Sequence, residues 1–218
     1  MKITIIFISL FIICSCSNTD KSRQIKVKKI INSRQVSNKS DVKNDSLTIN
    51  CDSIYPNKSF QLTLITFDTS NEEDIENNSV FIFSKVINDK VVEIFRDSVY
   101  SKVQAIEFHD FNGDKIKDIL VQNISDARSN WTYNLYLMNN KKGSLKKIRG
   151  FNEIKNPLFD IKYKVIANYV NSGTNWTEFY KIKGDSVINC GITIHDNTKK
   201  DIQGKEYQRD YQKAISKI

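Results

Sequence analysis

Histidine is nearly absent from this sequence, which has only His109 and His195 in 218 residues. The chain also lacks a G-x-S-x-G motif, an H-E-x-x-H motif and a glycine-rich phosphate-binding loop, so the common signatures of hydrolases and phosphate-binding enzymes are missing. Asp110 and Asp114 could be a glycosidase pair, but loop carboxylates at this spacing suit a cation better. We therefore expect a protein that binds rather than one that catalyses.

The chain has no apolar run long enough to cross a membrane. A short basic start precedes an apolar run at 3–13, which has the length of a signal peptide and falls below the roughly 20 residues of a transmembrane helix. The residues that follow, Cys14-Ser15-Cys16, resemble the lipobox of bacterial lipoproteins. The resemblance implies that residues 1–15 are a signal peptide and that lipidated Cys16 is the first mature residue. The alternatives are an uncleaved anchor or a plain secretory signal.

The formal net charge of +8 is unevenly distributed. Residues 17–50 contain eight basic residues, three aspartates and no aromatic residue, whereas residues 51–218 carry a net charge of only +2. A nucleic-acid-binding domain concentrates basic residues on its own surface, so we expect no nucleic-acid partner. A segment of this composition buries too little apolar surface to fold, so 16–50 is predicted to be a lipid-anchored, disordered tether. Its lysines either lie on anionic headgroups or only keep the linker soluble.

Short runs of β-branched and aromatic residues recur from Cys51 onward, with no long helical pattern between them. The predicted strands are 60–67, 80–87, 91–95, 103–108, 118–123, 131–138, 163–170, 178–183 and 187–194. This pattern predicts a single antiparallel all-β domain over 51–218, either propeller-like or a sandwich. Tyr207, Tyr211 and Ile215 recur at helical spacing, which predicts a short C-terminal helix.

An internal repeat relates two segments that lie 45 residues apart. Residues 123–132 align without gaps with residues 168–177, and each copy ends in Asn-Trp-Thr, at Trp131 and Trp176. The spacing is close to the period of a propeller blade. Two similar hairpins, or chance in an asparagine-rich chain, are the alternatives.

Cys51 and Cys190 remain once the two cysteines near the lipobox are set aside. In an exported protein an even pair can form a disulfide, and closing so long a loop could stabilise the fold by about 4–5 kcal/mol. The alternative is two separate buried thiols. The sequence leaves both open, because the outcome depends on the distance between the two Cα atoms.

The most specific signal is a loop in which four oxygen-bearing side chains occupy positions 1, 3, 5 and 9. These residues are Asp110, Asn112, Asp114 and Asp118. The backbone carbonyl of Ile116 lies at position 7, and calcium takes six to eight oxygen ligands. Three carboxylates within nine residues repel one another unless a cation neutralises them. We predict a calcium site at these five residues. The alternative is a metal-free turn whose carboxylates are offset by Lys115 and Lys117.

The D-x-N-G-D-x-x-x-D pattern between two predicted strands resembles the FG-GAP type of calcium loop found in β-propeller and propeller-like exported proteins. The loop is not an EF-hand, because position 12 is Val121, where that motif requires a bidentate glutamate. The FG-GAP pattern usually has glycine at position 6, where this chain has Lys115. If the backbone there is left-handed, a residue other than glycine costs roughly 1 kcal/mol or more.

Together with the lipobox, the loop resembles a small family of bacterial lipoproteins that have an FG-GAP-like calcium loop and a fold similar to that of periplasmic lysozyme inhibitors. The strongest match covers 103–183, particularly 110–119, 133–137 and 156–160. The resemblance implies a protein of the cell envelope, anchored on the periplasmic side or at the cell surface. It also implies a peptidoglycan hydrolase of the lysozyme type as the partner to be inhibited.

The lysozyme-inhibitor families plug the enzyme cleft with a short Ser-Gly loop and a nearby aromatic residue. The similar residues here are Ser172, Gly173, Thr174, Asn175 and Trp176, with tryptophan where tyrosine is usual. The alternative is a plain hairpin turn, with Trp131 and Trp176 packed in the core. A second function stays open, namely a surface accessory protein that binds glycan or another envelope component on exposed tryptophan or tyrosine side chains.

Overall fold

The computed structural model describes residues 44–67, 76–196 and 204–218. The strands are β1 (Asp45–Asn50), β2 (Phe60–Thr66), β3 (Ser79–Ile87), β4 (Lys90–Val99), β5 (Ile106–His109), β6 (Asp118–Ser125), β7 (Trp131–Asn139), β8 (Ser144–Ile148), β9 (Leu158–Asp160), β10 (Val165–Val170), β11 (Asn175–Lys183) and β12 (Ser186–Asp196). A 3-10 helix spans Phe151–Glu153, and helix α1 spans Lys205–Ile215. Over these three ranges no helix combines the length and the apolar character that crossing a membrane requires.

The strands form three antiparallel sheets, each made of four consecutive strands. Sheet 1 contains β1–β4, sheet 2 contains β5–β8 and sheet 3 contains β9–β12, and in each sheet every strand pairs with its neighbours in the sequence. Such meanders need only local connections. The predicted all-β antiparallel fold is confirmed.

Sheet 2 is the middle layer of the fold and is covered on both faces. Side chains alternate between the two faces of a strand, so Ile119 and Val121 of β6 pack toward sheet 1 while Leu120 packs toward sheet 3. On the first face the ring of Tyr136 stacks on Phe81 of sheet 1, with ring centroids 4.7 Å apart. Coverage of both faces explains why every residue of β6 from Asp118 to Asn123 is buried.

Helix α1 covers the outer face of sheet 3. Ala214 and Ile215 of the helix are buried against Val165 and Phe179 of the sheet. Tyr211 adds an edge-to-face contact with Phe179 at a centroid distance of 5.2 Å. The C-terminal helix predicted from the spacing of its apolar residues is confirmed.

The domain begins earlier than predicted. Strand β1 pairs with β2 along its whole length, from Asp45 opposite Thr66 to Asn50 opposite Gln61. Leu47 of β1 packs against the core between sheets 1 and 2, although most of the strand is exposed. The last six residues of the predicted tether 16–50 therefore belong to the fold, and residues 1–43, which include the predicted signal peptide 1–15 and Cys16, lie outside the described residues.

Cys51 and Cys190 are free thiols. Cys51 is fully buried between sheets 1 and 2, whereas Cys190 is half-buried in the cluster formed by sheet 3 and α1. The disulfide considered from the sequence is therefore not formed, and the structure has the alternative of two separate thiols. Burial raises the pKa of the Cys51 thiol to about 12, so this thiol stays protonated at neutral pH.

The internal repeat corresponds to two equivalent hairpins. Residues 123–132 contain the β6–β7 connection of sheet 2, and residues 168–177 contain the β10–β11 connection of sheet 3, each between the second and third strands of its sheet. The buried Asn130 side chain joins them: its Oδ1 accepts from the Asn171 N–H at 2.8 Å and its Nδ2 donates to the Asn171 carbonyl at 2.9 Å. The repeated asparagines thus lie where two meanders meet.

Candidate functional site

The predicted calcium loop connects β5 to β6 and is folded around its own side chains. Asp110 Oδ1 accepts hydrogen bonds from the N–H groups of Asn112 at 3.1 Å and Gly113 at 2.6 Å, and its Oδ2 accepts from Lys115 at 2.8 Å. Asn112 Oδ1 accepts from the Asp114 N–H, and Asp114 Oδ1 accepts from the N–H of Ile116. Each of these side chains therefore fixes the backbone that follows it.

Lys115 adopts the left-handed conformation, with φ of 68°. A residue other than glycine is unfavourable in this conformation, because a side chain at this φ crowds the backbone. The hydrogen bond from its N–H to Asp110 helps to hold it there. Glycine is the residue that this position accommodates without strain.

Asp118 anchors the loop to the core. Its side chain is fully buried, with Oδ2 accepting from the Phe111 N–H at 2.8 Å and Oδ1 from the Met138 N–H at 3.0 Å. Burial raises its pKa to about 7 against the lowering effect of these two bonds, and the charges of Asp114 and Asp110 raise it further. Asp118, the third acidic ligand candidate, thus connects the loop to β6 and β7, and its pKa also responds to the two loop carboxylates.

The chemistry of the loop fits a hard cation, but its side chains are not gathered around one. Within the described ranges no group of three or more His, Cys, Asp or Glu side chains is placed to hold a metal ion. The metal-free alternative also lacks its expected support, because the ion pairs of the described residues include none between these carboxylates and Lys115 or Lys117. Lys117 instead donates to the Phe108 carbonyl at 3.2 Å. Calcium binding stays a prediction.

The second predicted site, residues 172–176, comprises the tight turn between β10 and β11 and the first two residues of β11. The Ser172 hydroxyl donates to the Thr174 carbonyl, and the Ser172 N–H donates to Asn175 Oδ1 at 3.0 Å. Gly173 and Thr174 are exposed at the tip, and no atom lies within 4 Å of the position that a Gly173 Cβ would take. The turn therefore projects, but its serine hydroxyl is used internally.

The two tryptophans are neither core residues nor fully exposed. Trp131 starts β7 and Trp176 lies second in β11, and both are half-buried. The Trp131 N–H donates to Asn156 Oδ1 at 2.9 Å, so its backbone takes part in the asparagine contacts where sheets 2 and 3 meet. The alternative of packing in the core is therefore only partly right.

Sequence reasoning missed a groove of about 800 Å³ between sheet 2, sheet 3 and α1. Four tyrosines line it together with Phe111 and Phe159. These are Tyr133, Tyr169, Tyr207 and Tyr211. Asp110, Lys115 and Lys117 of the predicted calcium loop form one wall. A concave site that combines aromatic and other apolar side chains with polar groups is the usual form of a ligand site.

Each of the four tyrosine hydroxyls is held by a second residue. Tyr133 donates to Glu107 Oε1 at 2.9 Å, and Tyr169 donates to Asp196 Oδ2 at 3.1 Å. The hydroxyl of Tyr207 is 2.8 Å from that of Thr177, and the hydroxyl of Tyr211 donates to Asp160 Oδ2 at 3.4 Å. Burial, and then the charge of Asp160, raises the pKa of Tyr211 to about 12. These partners fix the rings before any ligand arrives.

One signal for the groove was present in the sequence. Tyr207 and Tyr211 are four residues apart on one face of α1, and their spacing is the one from which the helix was predicted. Both are only partly buried, because α1 lies over sheet 3 and leaves part of each ring facing the groove. Tyr133 and Tyr169 come from two different sheets, and nothing in their local sequence indicates that they share a site.

Over the described residues, the fold and the groove define an all-β domain with an aromatic-lined concave site. No protein-family model matches the chain, and no curated protein matches it. One solved structure that is similar to it is described as "Structure of a Xanthomonas Type IV Secretion System related protein". It is 16% identical, the match covers 70% of this chain and 82% of that chain, and the TM-score is 0.41. A likeness this distant carries no argument about this chain's function.

Proposed function

We propose that this chain is an exported, lipid-anchored binding module and that the groove between sheets 2 and 3 is its ligand site. The observation that supports the proposal is the set of four tyrosines whose hydroxyls are each held by a neighbouring residue. Rings fixed in this way bind without losing further side-chain freedom. Aromatic faces beside a few polar groups suit a ligand with alternating apolar and hydroxyl-bearing surfaces, so the proposed ligand is a glycan of the cell envelope.

The charged groups of the groove favour binding over hydrolysis. A hydrogen bond from His109, followed by one from Tyr133, holds the pKa of Glu107 below its usual value against the effect of burial. Glycoside hydrolysis needs a carboxylic acid that stays protonated to donate a proton, which requires a raised pKa. Asp110, the other carboxylate in the lining, accepts three backbone N–H groups. Neither carboxylate is suited to be the general acid.

In this proposal calcium has a structural role beside the groove. Asp110, Asn112, Asp114 and Asp118 would hold it through side-chain oxygens, and Ile116 through its carbonyl. The ion would supply positive charge that neutralises the three carboxylates. Because Asp110, Phe111 and Lys115 line the groove, an ordered loop would give the groove a fixed wall.

A second candidate function is inhibition of a lysozyme-like peptidoglycan hydrolase by the turn at 172–176. The observation in its favour is the exposed tip at Gly173 and Thr174, which has open space around it. An inhibitor forms a stoichiometric complex with the enzyme, whereas a glycan-binding protein is retained on polysaccharide. If the Ser172→Ala/Trp176→Ala double variant inhibited a susceptible lysozyme as well as the parent, the turn would not be the inhibitory element.

The primary proposal is tested with the full chain in two ways. One is retention on insoluble peptidoglycan, and the other is binding of soluble glycan fragments. We expect Tyr169→Ala to weaken retention at least tenfold, because the ring is lost, and Tyr169→Phe to retain most of the binding, because the ring stays. Circular dichroism of both variants checks that the β fold is intact. Equal retention of the Tyr169→Ala variant and the parent, or no retention of the parent on any glycan, would overturn the proposal.

A further inference from the structure

A small basic pocket lies where sheet 1 meets the β7–β8 turn, outside the groove. Its volume is about 150 Å³, and four of the residues that line it are lysines. These are Lys58, Lys85, Lys141 and Lys142. No acidic residue lines it. The pocket therefore collects charge of one sign, which is unusual in a domain whose net charge is close to zero.

The four ammonium groups have no partner of their own. Across the described residues, none of these lysines forms an ion pair or a side-chain hydrogen bond, although basic residues nearby do. Lys147 pairs with Asp97 at 2.7 Å and Arg96 pairs with Glu93 at 2.6 Å. Lys58 and Lys85 are half-buried, so they are also partly desolvated. Lysine charges that line one small pocket with no acidic residue repel one another, and an anion would relieve that repulsion.

The residues at the floor of the pocket are closely packed. Phe60 of β2 lies opposite Lys85 of β3 in the sheet register. Gly143 takes a left-handed conformation, with φ of 62°, and a Cβ there would lie 3.1 Å from the ring of Phe60. The turn is fixed by the Gly143 N–H donating to the Asn139 carbonyl at 2.8 Å. The backbone that carries Lys141 and Lys142 is thereby held against the floor of the pocket.

Asn140 adds an unused polar group to the wall. Its side-chain oxygen is buried and has no hydrogen-bond partner in the described part of the chain. Buried polar atoms are usually paired, so an unpaired one inside a pocket indicates an unfilled position. The amide also carries two N–H donors, and rotation about its last bond exchanges oxygen for nitrogen. The same side chain can thus donate to an oxyanion.

We propose that this pocket binds a phosphate group. Lysine ammonium groups bind phosphate as point charges, and several of them around one small cavity match a tetrahedral anion that carries more than one negative charge. The phosphate is either free inorganic phosphate or the phosphomonoester headgroup of a glycerolipid, and the chemistry of recognition is the same for both. The pocket is separate from the groove, so this proposal does not rest on the proposed function.

The test is calorimetric titration of the full chain with inorganic phosphate and, separately, with glycerol 3-phosphate, at a constant ionic strength set by chloride. We expect saturable one-site binding, and at least a tenfold increase in Kd in the Lys58→Gln/Lys85→Gln variant. The matched control is Lys183→Gln/Lys217→Gln, which removes the same charge from two exposed lysines of sheet 3 and the C-terminus and should bind as the parent does. Tighter binding of glycerol 3-phosphate assigns the site to a headgroup, and equal or tighter binding of phosphate assigns it to the free ion.

A second measurement separates binding from folding. Because the pocket lysines repel one another when no anion is bound, the Lys58→Gln/Lys85→Gln variant should melt in chloride at the temperature of the parent or above it. Phosphate should raise the melting temperature of the parent and not that of this variant. The proposal would be overturned by the absence of saturable binding, by equal Kd values in the parent and the pocket variant, or by an equal loss in the control.

Discussion

Lys115 places a long side chain on a left-handed backbone, in the middle of the loop that fixes one wall of the groove. Since glycine has no Cβ to crowd the backbone at this φ, Lys115→Gly should stabilise the protein, by about 1 kcal/mol. The hydrogen bond to Asp110 uses the backbone N–H and survives the substitution. Urea denaturation measures the change.

The control for Lys115 is Lys117→Gly, at the next exposed lysine of the loop, which does not have a positive φ. There glycine adds freedom to the unfolded chain and removes the exposed hydrogen bond from Lys117 to the Phe108 carbonyl, so the free energy of unfolding should fall by about 0.5–1 kcal/mol. If both substitutions changed stability in the same direction, the left-handed strain at Lys115 would not be the cause.

Cys51 and Cys190 should differ in reactivity because only the thiolate attacks an alkylating agent. Burial raises the pKa of Cys51 to about 12 and also raises that of the less buried Cys190. At pH 8 in the native state, iodoacetamide should therefore label Cys190 at least tenfold faster than Cys51, and in urea the two rates should converge. Mass spectrometry of the digested protein gives both rates, and equal native rates would contradict the buried position of Cys51.

The raised pKa of Cys51 also determines how this thiol makes the stability of the fold depend on pH. The unfolded thiol ionises near 9.0, whereas the folded thiol stays protonated until about 12. Below pH 9 the thiol is protonated in both states, so its contribution to stability is fully present there. As pH rises from 9 toward 12 only the unfolded state loses the proton, and the contribution is lost. Cys51→Ala should remove this part of the alkaline loss of stability.

At the scale of elements, the inner strands of all three sheets were found from the sequence, and so were the edge strands β4, β5 and β12. Strand β6 has a run of apolar residues because both of its faces are covered, and β3 alternates because only one face is. The strands missed lie at sheet edges: β1, β8 and β9. Strand β8 has the sequence Ser-Leu-Lys-Lys-Ile, and β9 has only three residues. Edge strands are often charged or short in this way, because such strands resist pairing with another chain and so protect against aggregation. Propensity alone could not identify them.

The Asn130 side chain connects the β6–β7 hairpin of sheet 2 to the β10–β11 hairpin of sheet 3. Its amide is buried, accepts from the Asn171 N–H, and donates to the Asn171 carbonyl and to Asp126 Oδ2. Asn130→Ala leaves these groups unpaired, and each buried polar group that loses its partner costs about 1–3 kcal/mol. We expect a loss of about 2–4 kcal/mol in thermal or urea unfolding. Asn152→Ala, at an exposed asparagine of the 3-10 helix, should change stability by less than about 0.5 kcal/mol.

At the scale of the whole molecule, the sequence could place the loop residues together but not the groove residues. Asp110 to Asp118 are neighbours in the chain, so their spacing alone predicted a common loop. Tyr133, Tyr169 and Tyr207 are brought together only because sheets 2 and 3 and α1 pack on one another. That stacking depends on which faces of the sheets fit, and this information is not contained in the period of any single strand.

The predicted calcium loop joins these scales, since one ion would act on a residue cluster, on the β5–β6 connection and on the wall of the groove. Calorimetric titration of the full chain with calcium should give a one-site isotherm, and Asp114→Ala should abolish it. Because binding to the folded state alone stabilises it, calcium should raise the melting temperature of the parent and a chelator should lower it. Asp52→Ala removes the same charge at an exposed position outside the loop and should bind calcium as the parent does.

A flat titration, together with a melting temperature that does not respond to chelator, would leave the loop as a turn held by its own Asx hydrogen bonds. The groove proposal makes the two outcomes distinguishable, since its tyrosines are held by Glu107, Asp196, Thr177 and Asp160, none of which belongs to the loop. Glycan retention that persists in Asp114→Ala would therefore assign binding to the aromatic wall alone. Retention that falls in proportion to calcium occupancy would assign a share of it to the wall formed by Asp110, Phe111 and Lys115.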